Sequence, residues 1–352
     1  MEKQSVIKKG VLNNKHYTLK PEDCLIKLNQ NESPFDLPDD IKTRILHKLS
    51  GIKWNLYPDF IPTELYEKIA SHLSVNSDNI LIGNGSNEMI NTILCSSIES
   101  GKRVIMPVPT FTVYNLISSN LNGDIVKIEL NQDMSFPVDR IAEESAHKGS
   151  VTIICSPNNP TGSLMNVNEI KTVLKRSNGL VVIDEAYIHF GGESVISLIK
   201  QYDNLVVLRT FSKAYGLAGL RIGVMITNSD LITEFSKVKL PYNINIFTIN
   251  TLLTILETPD YINKNIQTII KSRDQMYQKL NGYKFLKVYP SSANFFLIKV
   301  KNSADLFNYL KDNNILIRDV SSYQMLTNHL RISVGSEDEN NRLYELLENY
   351  NK

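Results

Sequence analysis

Short apolar runs alternate with segments of helical periodicity through residues 62–334. Apolar runs bounded by turn residues predict buried strands, and apolar residues at three- and four-residue intervals predict amphipathic helices, such as the one at 167–176. This alternation predicts an α/β fold in which a mostly parallel sheet of seven strands lies between helices. The predicted strands are 80–82, 103–106, 125–128, 151–155, 180–183, 205–208 and 222–226.

The pattern changes near Pro241, where a proline interrupts it before a long helical stretch at 246–280. We therefore predict an N-terminal arm and part of a small domain at 1–48, a large domain at 49–243 and a smaller α+β C-terminal domain at 244–352. The strand at 222–226 follows its neighbour without an intervening helix, which predicts that it enters the sheet antiparallel. Further elements are predicted at 37–49, 285–288, 293–298, 303–312, 315–318, 330–334 and from 337 onward.

The composition and charge of the chain argue against several classes of function. The net charge of the 352 residues is +1, which gives no reason to expect a nucleic acid or an anionic membrane as partner. The first residues lack the apolar core of a signal peptide, and no apolar run approaches the length of a membrane span. Three widely spaced cysteines suit a reducing compartment, so we expect a cytoplasmic protein. The six histidines have no metal-ligand spacing, so no metal site is expected.

One lysine directly follows a predicted buried strand. Lys213 lies in the segment 210–221, Thr-Phe-Ser-Lys-Ala-Tyr-Gly-Leu-Ala-Gly-Leu-Arg, which comes after the apolar run at 205–208 and ends at Arg221. A lysine in such a loop points into a cavity, where desolvation favours its uncharged, nucleophilic form. A lone lysine after a strand is most often a surface side chain, so the interpretation depends on matching chemistry elsewhere.

Three other polar segments follow strands of the same predicted sheet. Residues 83–88, Gly-Asn-Gly-Ser-Asn-Glu, open a helix whose backbone N–H groups can hold a phosphate. Residues 156–162, Ser-Pro-Asn-Asn-Pro-Thr-Gly, form a turn with two side-chain amides. Asp184 ends a strand and Tyr187 follows it, although an aspartate alone in that place is more often a helix cap. Ligands of open α/β sheets bind at the carboxyl ends of the strands, so these groups are expected to meet there.

Pyridoxal phosphate requires this combination of groups. It needs a lysine for its aldehyde, an acid for its ring nitrogen, donors for its phenolic oxygen and an anion site for its phosphate. The segments 156–162, 184–187 (Asp-Glu-Ala-Tyr) and 212–223 (Ser-Lys-Ala-Tyr-Gly-Leu-Ala-Gly-Leu-Arg-Ile-Gly) resemble those of the fold-type I pyridoxal-phosphate-dependent aminotransferases of class II. The resemblance extends from 28–34 to 330–335, and within that family the chain is most similar to the histidinol-phosphate aminotransferases.

The resemblance implies a role for each of these residues. Lys213 would bind the cofactor aldehyde and later transfer the substrate proton, and Asp184 would keep the ring nitrogen protonated. Tyr187 and Asn159 would hydrogen-bond the phenolic oxygen. The ring of Phe111, where the family often has tyrosine, would lie on the cofactor ring. The cofactor phosphate would be held by Gly85, Ser86, Asn87, Thr210, Ser212 and Arg221.

Two arginines of the predicted second domain are candidates for substrate recognition. Arg318 and Arg331 lie at the ends of two predicted strands, and two guanidinium groups suit a dianionic phosphate better than a single carboxylate. The resemblance adds Tyr17 and Asn31 as residues that close over the substrate. It also assigns Tyr57 to the cofactor phosphate of the neighbouring subunit, which implies a homodimer with shared active sites.

The resemblance implies transfer of an amino group between L-histidinol phosphate and 2-oxoglutarate, which yields imidazole-acetol phosphate and L-glutamate in histidine biosynthesis. Three alternatives remain open: a threonine-phosphate decarboxylase, an aromatic or broad-range aminotransferase, and a non-catalytic cofactor-binding protein on the same fold. Lys213 and Asp184 speak against the non-catalytic alternative. A nicotinamide-dependent dehydrogenase is disfavoured because the chain lacks the dinucleotide-binding glycine fingerprint.

Overall fold

The structure is a computed structural model that describes residues 6–14 and 22–350. Within these residues, thirteen strands form three sheets. The strands are β1 (Ile26–Lys27), β2 (Ile80–Gly83), β3 (Arg103–Val108), β4 (Asp124–Glu129), β5 (Val151–Cys155), β6 (Leu180–Asp184), β7 (Leu205–Thr210), β8 (Gly223–Ile226), β9 (Leu286–Val288), β10 (Phe295–Val300), β11 (Ile315–Leu316), β12 (Arg318–Asp319) and β13 (His329–Ser333).

Twelve α-helices connect and cover the sheets within the same described ranges. They are α1 (Lys9–Leu12), α2 (Asp39–Ser50), α3 (Thr63–Leu73), α4 (Ser86–Ser97), α5 (Thr112–Asn120), α6 (Val138–Ser145), α7 (Val167–Arg176), α8 (Ser229–Ser236), α9 (Ile246–Leu256), α10 (Pro259–Asn281), α11 (Ser303–Asp312) and α12 (Glu337–Tyr350). Among the residues described, no helix is long and apolar enough to cross a membrane.

The predicted seven-stranded sheet is confirmed, with the strand order β2-β8-β7-β6-β5-β3-β4. Strands β3 to β7 pair parallel with one another, whereas β8 runs antiparallel to both β7 and β2. The predicted antiparallel entry of β8 is therefore also confirmed. Its cause is the short loop between Thr210 and Gly223, which face each other across β7 and β8 and leave no room for a crossover helix.

Alternate residues of the central strands pack on opposite faces of the sheet, as the period of a strand requires. Leu205 and Val207 of β7 belong to the larger apolar core, while Val206 and Leu208 belong to a second core that contains Tyr114 of α5. All residues of β5, β7 and β8 are buried, because helices cover both faces. The buried sheet therefore fixes the backbone positions from which the side chains at its carboxyl edge extend.

A four-stranded antiparallel sheet, in the order β12-β13-β10-β9, forms the C-terminal part of the structure. The N-terminal segment joins this part, because β1 pairs parallel with β11. In β12 and β13, Arg318 lies directly opposite Arg331. This register brings the two arginines to one place although they are separated along the chain.

Two predicted elements of the C-terminal part were too long. The single strand expected at 315–318 is split, because β11 pairs with β1 whereas β12 pairs with β13. The single helical stretch expected at 246–280 is two helices, α9 and α10, and Pro259 occupies the first turn of the second. A proline lacks the N–H group that a continuous helix would need there, and its ring favours a helix start.

Candidate active site

A cavity of about 420 Å³ opens at the carboxyl edge of the central sheet. Its wall comes from the loops after β3, β5, β6 and β7, from the start of α4, from residues 29–32 and from β12 and β13. The structure thus brings most of the predicted site residues together. Those that line the cavity are Asn31, Ser86, Asn87, Phe111, Asn159, Asp184, Tyr187, Thr210, Ser212, Lys213, Arg221, Arg318 and Arg331.

Of the predicted residues that the structure describes, two do not line this cavity. Tyr17 lies outside the residues that the structure describes. Gly85 does not line the cavity itself but lies next to Arg221, which does. The Tyr57 side chain is 81% exposed and stacks on Tyr242, with the ring centroids 4.7 Å apart. Tyr57 therefore cannot act in the cavity of its own chain in this arrangement.

Lys213 is half-buried and faces the cavity. Its Nζ donates a hydrogen bond to the backbone oxygen of Gln30, at 2.8 Å. Burial lowers the pKa of the Lys213 amine to about 8, and the positive charges of Arg331 and Arg221 act in the same direction, while Glu32 opposes them. A lysine with this pKa is partly uncharged near neutral pH, which is the form that attacks a carbonyl carbon.

Asp184, at the end of β6, is 3% exposed. Its Oδ2 accepts a hydrogen bond of 2.6 Å from the Tyr114 hydroxyl, and its Oδ1 accepts one of 3.1 Å from the backbone N–H of Ala186. Burial raises the pKa of Asp184 to about 6, against the effect of these two donors. The site thus contains one buried acid whose ionised form is supported by directed donors.

The start of α4 and Arg221 form an anion site. Gly85, the N-cap of α4, has a positive φ of 82°, and a Cβ atom there would lie 2.6 Å from Nη2 of Arg221. Only glycine allows this close approach of the guanidinium group to the helix terminus. Arg221 also donates to Ser212 Oγ at 3.4 Å, and that hydroxyl accepts from Thr210 Oγ1 at 3.0 Å. The backbone N–H groups, the helix dipole and the guanidinium all favour a bound phosphate.

The two amides of the turn at 156–162 have different partners. Asn158 is buried and holds the turn, with its Nδ2 donating to the backbone oxygen of Pro109 at 2.9 Å and to Thr161 Oγ1 at 2.8 Å. Asn159 lines the cavity, and its Oδ1 accepts a hydrogen bond of 2.6 Å from Arg331 Nη1. Because its oxygen is engaged by Arg331, the Nδ2 group is the part of Asn159 that can serve a ligand.

Arg331 is 7% exposed and is held from several sides. Besides Asn159, its guanidinium donates to the backbone oxygen of Asn29 and lies 5.3 Å from the centre of the Phe295 ring. Arg318 is half-buried, and among residues 6–14 and 22–350 its side chain has no hydrogen-bond or ion-pair partner. The two guanidinium groups thus line one cavity from neighbouring strands, one anchored and the other open to a ligand.

Asn31 connects the N-terminal segment to both sides of the cavity. It is buried with a positive φ of 55°, and its Nδ2 donates to the Tyr187 hydroxyl at 3.0 Å. Its backbone N–H donates to Ser333 Oγ at 2.9 Å, and that hydroxyl donates to Asn31 Oδ1 at 3.0 Å. Burial raises the pKa of Tyr187 above its ordinary value, so its hydroxyl stays protonated and can donate to a ligand.

Sequence reasoning missed several residues that line the cavity or hold its wall, among them Tyr114, Cys155, Tyr323 and Ser333. Tyr114 and Ser333 contact predicted site residues, and Cys155 and Tyr323 line the cavity. Tyr114 follows Phe111 by one helical turn, and Cys155 ends a predicted strand, so their positions carried a signal. The sequence offers no comparable signal for Ser333 or Tyr323.

The functional groups around the cavity fit pyridoxal phosphate. The structure provides an amine with a lowered pKa, a buried carboxyl group, donors from a tyrosine and an asparagine, and an anion site at a helix terminus. At Gly85 a side chain would be strained by the positive φ and would displace the Arg221 guanidinium from the anion site.

Comparisons with known proteins agree with this geometry. The model of the family "Aminotransferase class I and II" matches residues 23–347. A histidinol-phosphate aminotransferase of Chlorobaculum parvum is 40% identical over 328 residues, which cover 93% of this chain and 92% of that protein.

Two solved structures share the fold. That of histidinol-phosphate aminotransferase from Sinorhizobium meliloti in complex with pyridoxal-5'-phosphate has a TM-score of 0.87 at 22% identity and covers 98% of both chains. That of L-threonine-O-3-phosphate decarboxylase from Porphyromonas gingivalis has a TM-score of 0.82 at 26% identity and covers 93% of this chain and 99% of that chain. By the family match and the extent of its identity to the Chlorobaculum parvum enzyme, this chain belongs to the class I and II aminotransferases.

Proposed function

We propose that this protein is a histidinol-phosphate aminotransferase that uses pyridoxal 5'-phosphate to move an amino group between L-histidinol phosphate and 2-oxoglutarate. The observation that carries the choice of substrate is the direct opposition of Arg318 and Arg331 on β12 and β13 at the cavity. Like charges directly opposite on neighbouring strands destabilise a sheet unless an anion offsets them. A phosphate ester with two negative charges can pair with both guanidinium groups, whereas an uncharged side chain can pair with neither.

The residues of the cavity suit the chemistry of amino-group transfer. When bound, pyridoxal 5'-phosphate supplies an aldehyde for amines and an electron-withdrawing ring. Asp184 is suited to hold the proton on the ring nitrogen, because its carboxylate is buried and already oriented by Tyr114 and Ala186. The Lys213 amine is suited to accept the proton from the α-carbon of the substrate, because its lowered pKa leaves an uncharged fraction near neutral pH.

Two donors are suited to the phenolic oxygen of the cofactor. The Tyr187 hydroxyl accepts from Asn31, so its own hydrogen is available to a ligand. The Asn159 oxygen accepts from Arg331, so its amide N–H is available in the same way. We propose that both stabilise the deprotonated oxygen, while Gly85, Ser86, Asn87, Thr210, Ser212 and Arg221 hold the cofactor phosphate.

The test is a comparison of substrates with the purified protein supplied with pyridoxal phosphate. We expect glutamate to form from 2-oxoglutarate in the presence of L-histidinol phosphate. We also expect the cofactor spectrum to change when that amine is added without 2-oxoglutarate. L-Threonine phosphate is the control that separates the alternatives. Carbon dioxide release from threonine phosphate without glutamate formation would instead identify a decarboxylase. Equal rates with unphosphorylated aromatic amino acids would identify a broad-range aminotransferase.

We further propose that two copies of the chain share their active sites. Tyr57 and Phe60 both pack on Tyr242, and all three rings are exposed; Trp54 and Leu240 are also exposed. A cluster of exposed aromatic rings of this kind is typical of a contact with another protein. We propose a second copy of this chain as the partner at this surface. Tyr57 lies away from the cavity of its own chain, and a homodimer would place it at the cavity of the other copy.

Subunit sharing is tested by mixing two impaired variants, Lys213→Ala and Tyr57→Ala. A hybrid dimer would contain one cavity with both residues intact, so part of the activity should return after subunit exchange. Static light scattering of the wild-type protein gives the required control of its mass. A monomeric mass, or no recovery despite demonstrated exchange, contradicts the shared site.

The same proposal covers the organisation of the chain and its compartment. We propose an N-terminal arm and part of a small domain at 1–48, a large cofactor-binding domain at 49–243 and a small domain at 244–352. A cytoplasmic location suits the three free cysteines, of which Cys95 is exposed. Limited proteolysis, followed by mass spectrometry of the fragments, tests these domain boundaries. Cleavage should concentrate in exposed linkers between domains, where few contacts hold the chain.

A further inference from the structure

We propose that Tyr114 is a positioning residue that holds both the acid partner of the cofactor ring and the aromatic ring that covers it. The inference deepens the proposed function and depends on it, because both contacts matter only if pyridoxal phosphate occupies the cavity. Tyr114 belongs to α5 and lies one helical turn after Phe111.

Tyr114 contacts two site residues at once. Its hydroxyl donates a hydrogen bond of 2.6 Å to Asp184 Oδ2, and its ring meets the ring of Phe111 edge to face, with centroids 5.5 Å apart and an interplanar angle of 86°. Phe111 is the N-cap of α5, so the two side chains leave the same turn of one helix. A shift of Tyr114 would therefore move the acid and the covering ring together.

The hydrogen bond leaves Asp184 able to bind the cofactor. A carboxylate has about four acceptor positions. Tyr114 and the N–H of Ala186 take one each on different oxygens, so further positions remain for the proton of the ring nitrogen. The two fixed bonds restrict rotation of the carboxylate, which orients the remaining positions before the cofactor binds.

The surroundings of Asp184 make the Tyr114 bond important for its ionised state. The titratable groups that act on Asp184 are Tyr114 from α5, Cys155 from β5, and Glu185 and Tyr187 from its own segment. Cys155 and Tyr187 are neutral, since burial raises the pKa of both, and Glu185 forms an ion pair with Arg209 at 2.8 Å. Tyr114 is thus the side-chain donor that offsets the burial of Asp184.

Tyr114→Phe removes the hydroxyl and keeps the ring, so it separates the hydrogen bond from the packing. We expect apoprotein carrying this change to bind pyridoxal phosphate about tenfold more weakly or worse, as measured by spectroscopic titration. The matched control is Tyr66→Phe. It removes a hydroxyl whose one hydrogen bond to the described part of the chain comes from the backbone N–H of Ile82, at 3.4 Å, and it should leave the dissociation constant unchanged.

A second readout follows the protonation of Asp184. In Tyr114→Phe the carboxyl group is protonated more readily, so the acid limb of the half-reaction with L-histidinol phosphate should move upward by about one pH unit. Site-specific incorporation of 3-fluorotyrosine at position 114 should move the same limb downward, because fluorine makes the phenol a stronger donor. This variant keeps both packing and hydroxyl, so it serves as the test even if Tyr114→Phe does not fold.

The outcomes distinguish this inference from the proposed function. If the wild-type protein neither binds pyridoxal phosphate nor transaminates, the proposed function is wrong. If the wild type does both, but Tyr114→Phe matches Tyr66→Phe in cofactor affinity and pH profile, Tyr114 only packs the core. An acid limb that does not respond to 3-fluorotyrosine overturns the positioning role in the same way.

Discussion

Replacement of Arg318 by alanine is the cleanest test of phosphate recognition. Arg331 is tied to Asn159 and Asn29, so its removal would disturb the cavity wall as well as a substrate contact. Arg318 has no such partner among residues 6–14 and 22–350 and is only half-buried. The loss of the Arg318 guanidinium should therefore change substrate binding without changing the fold.

The magnitude follows from the exposure of the side chain. A hydrogen bond to a charged group contributes about 1.5–3 kcal/mol, and solvent at a half-buried site favours the lower end of that range. About 1.5 kcal/mol corresponds to roughly a tenfold loss in kcat/KM for L-histidinol phosphate. For L-histidinol, which lacks the phosphate, the same change should alter kcat/KM by less than about twofold.

The assay is glutamate formation at several concentrations of each amine, for the wild type, Arg318→Ala and Arg318→Lys. Lysine keeps the charge but not the forked geometry, so Arg318→Lys should fall between the other two proteins. Circular dichroism and cofactor content provide the control for intact structure. An equal loss for both amines would refute the reasoning, since it would mean that Arg318 does not discriminate by the phosphate.

Three further predictions concern the cofactor chemistry. Lys213→Ala should abolish turnover and leave pyridoxal phosphate bound without a borohydride-reducible bond; turnover like that of the wild type would exclude the lysine assignment. Covalent capture of the cofactor by wild-type apoprotein should accelerate with rising pH and level off above about 8, because burial lowers the Lys213 pKa to about 8. A rate that keeps rising towards pH 10 would contradict that pKa. Asp184→Ala should lower kcat far more than cofactor affinity, and a fall of less than about tenfold would assign the electron-withdrawing role elsewhere.

Local patterns in the sequence determined the central sheet and the cofactor motifs. Apolar runs of strand length end at Asp184 and before Lys213. This local change from apolar to polar residues can be recognised from the sequence alone. The seven strands were predicted with errors of only a few residues at their ends, and the antiparallel entry of β8 followed from a short connection. The weaker predictions, at 246–280 and 315–318, failed where a proline or a change of pairing partner interrupts a continuous apolar pattern.

Only the tertiary structure decided which distant residues meet. The hydroxyl of Tyr114 contacts a carboxylate 70 positions away, and Asn31 reaches Ser333 across 302 positions. Neither contact leaves a periodic trace in the sequence, because it depends on how helices and strands from separate segments pack. Strand register likewise placed Arg318 opposite Arg331, since a shift of one residue would have turned a guanidinium to the other face of the sheet. The sequence thus determined the chemical groups of the site, while packing and register determined their partners.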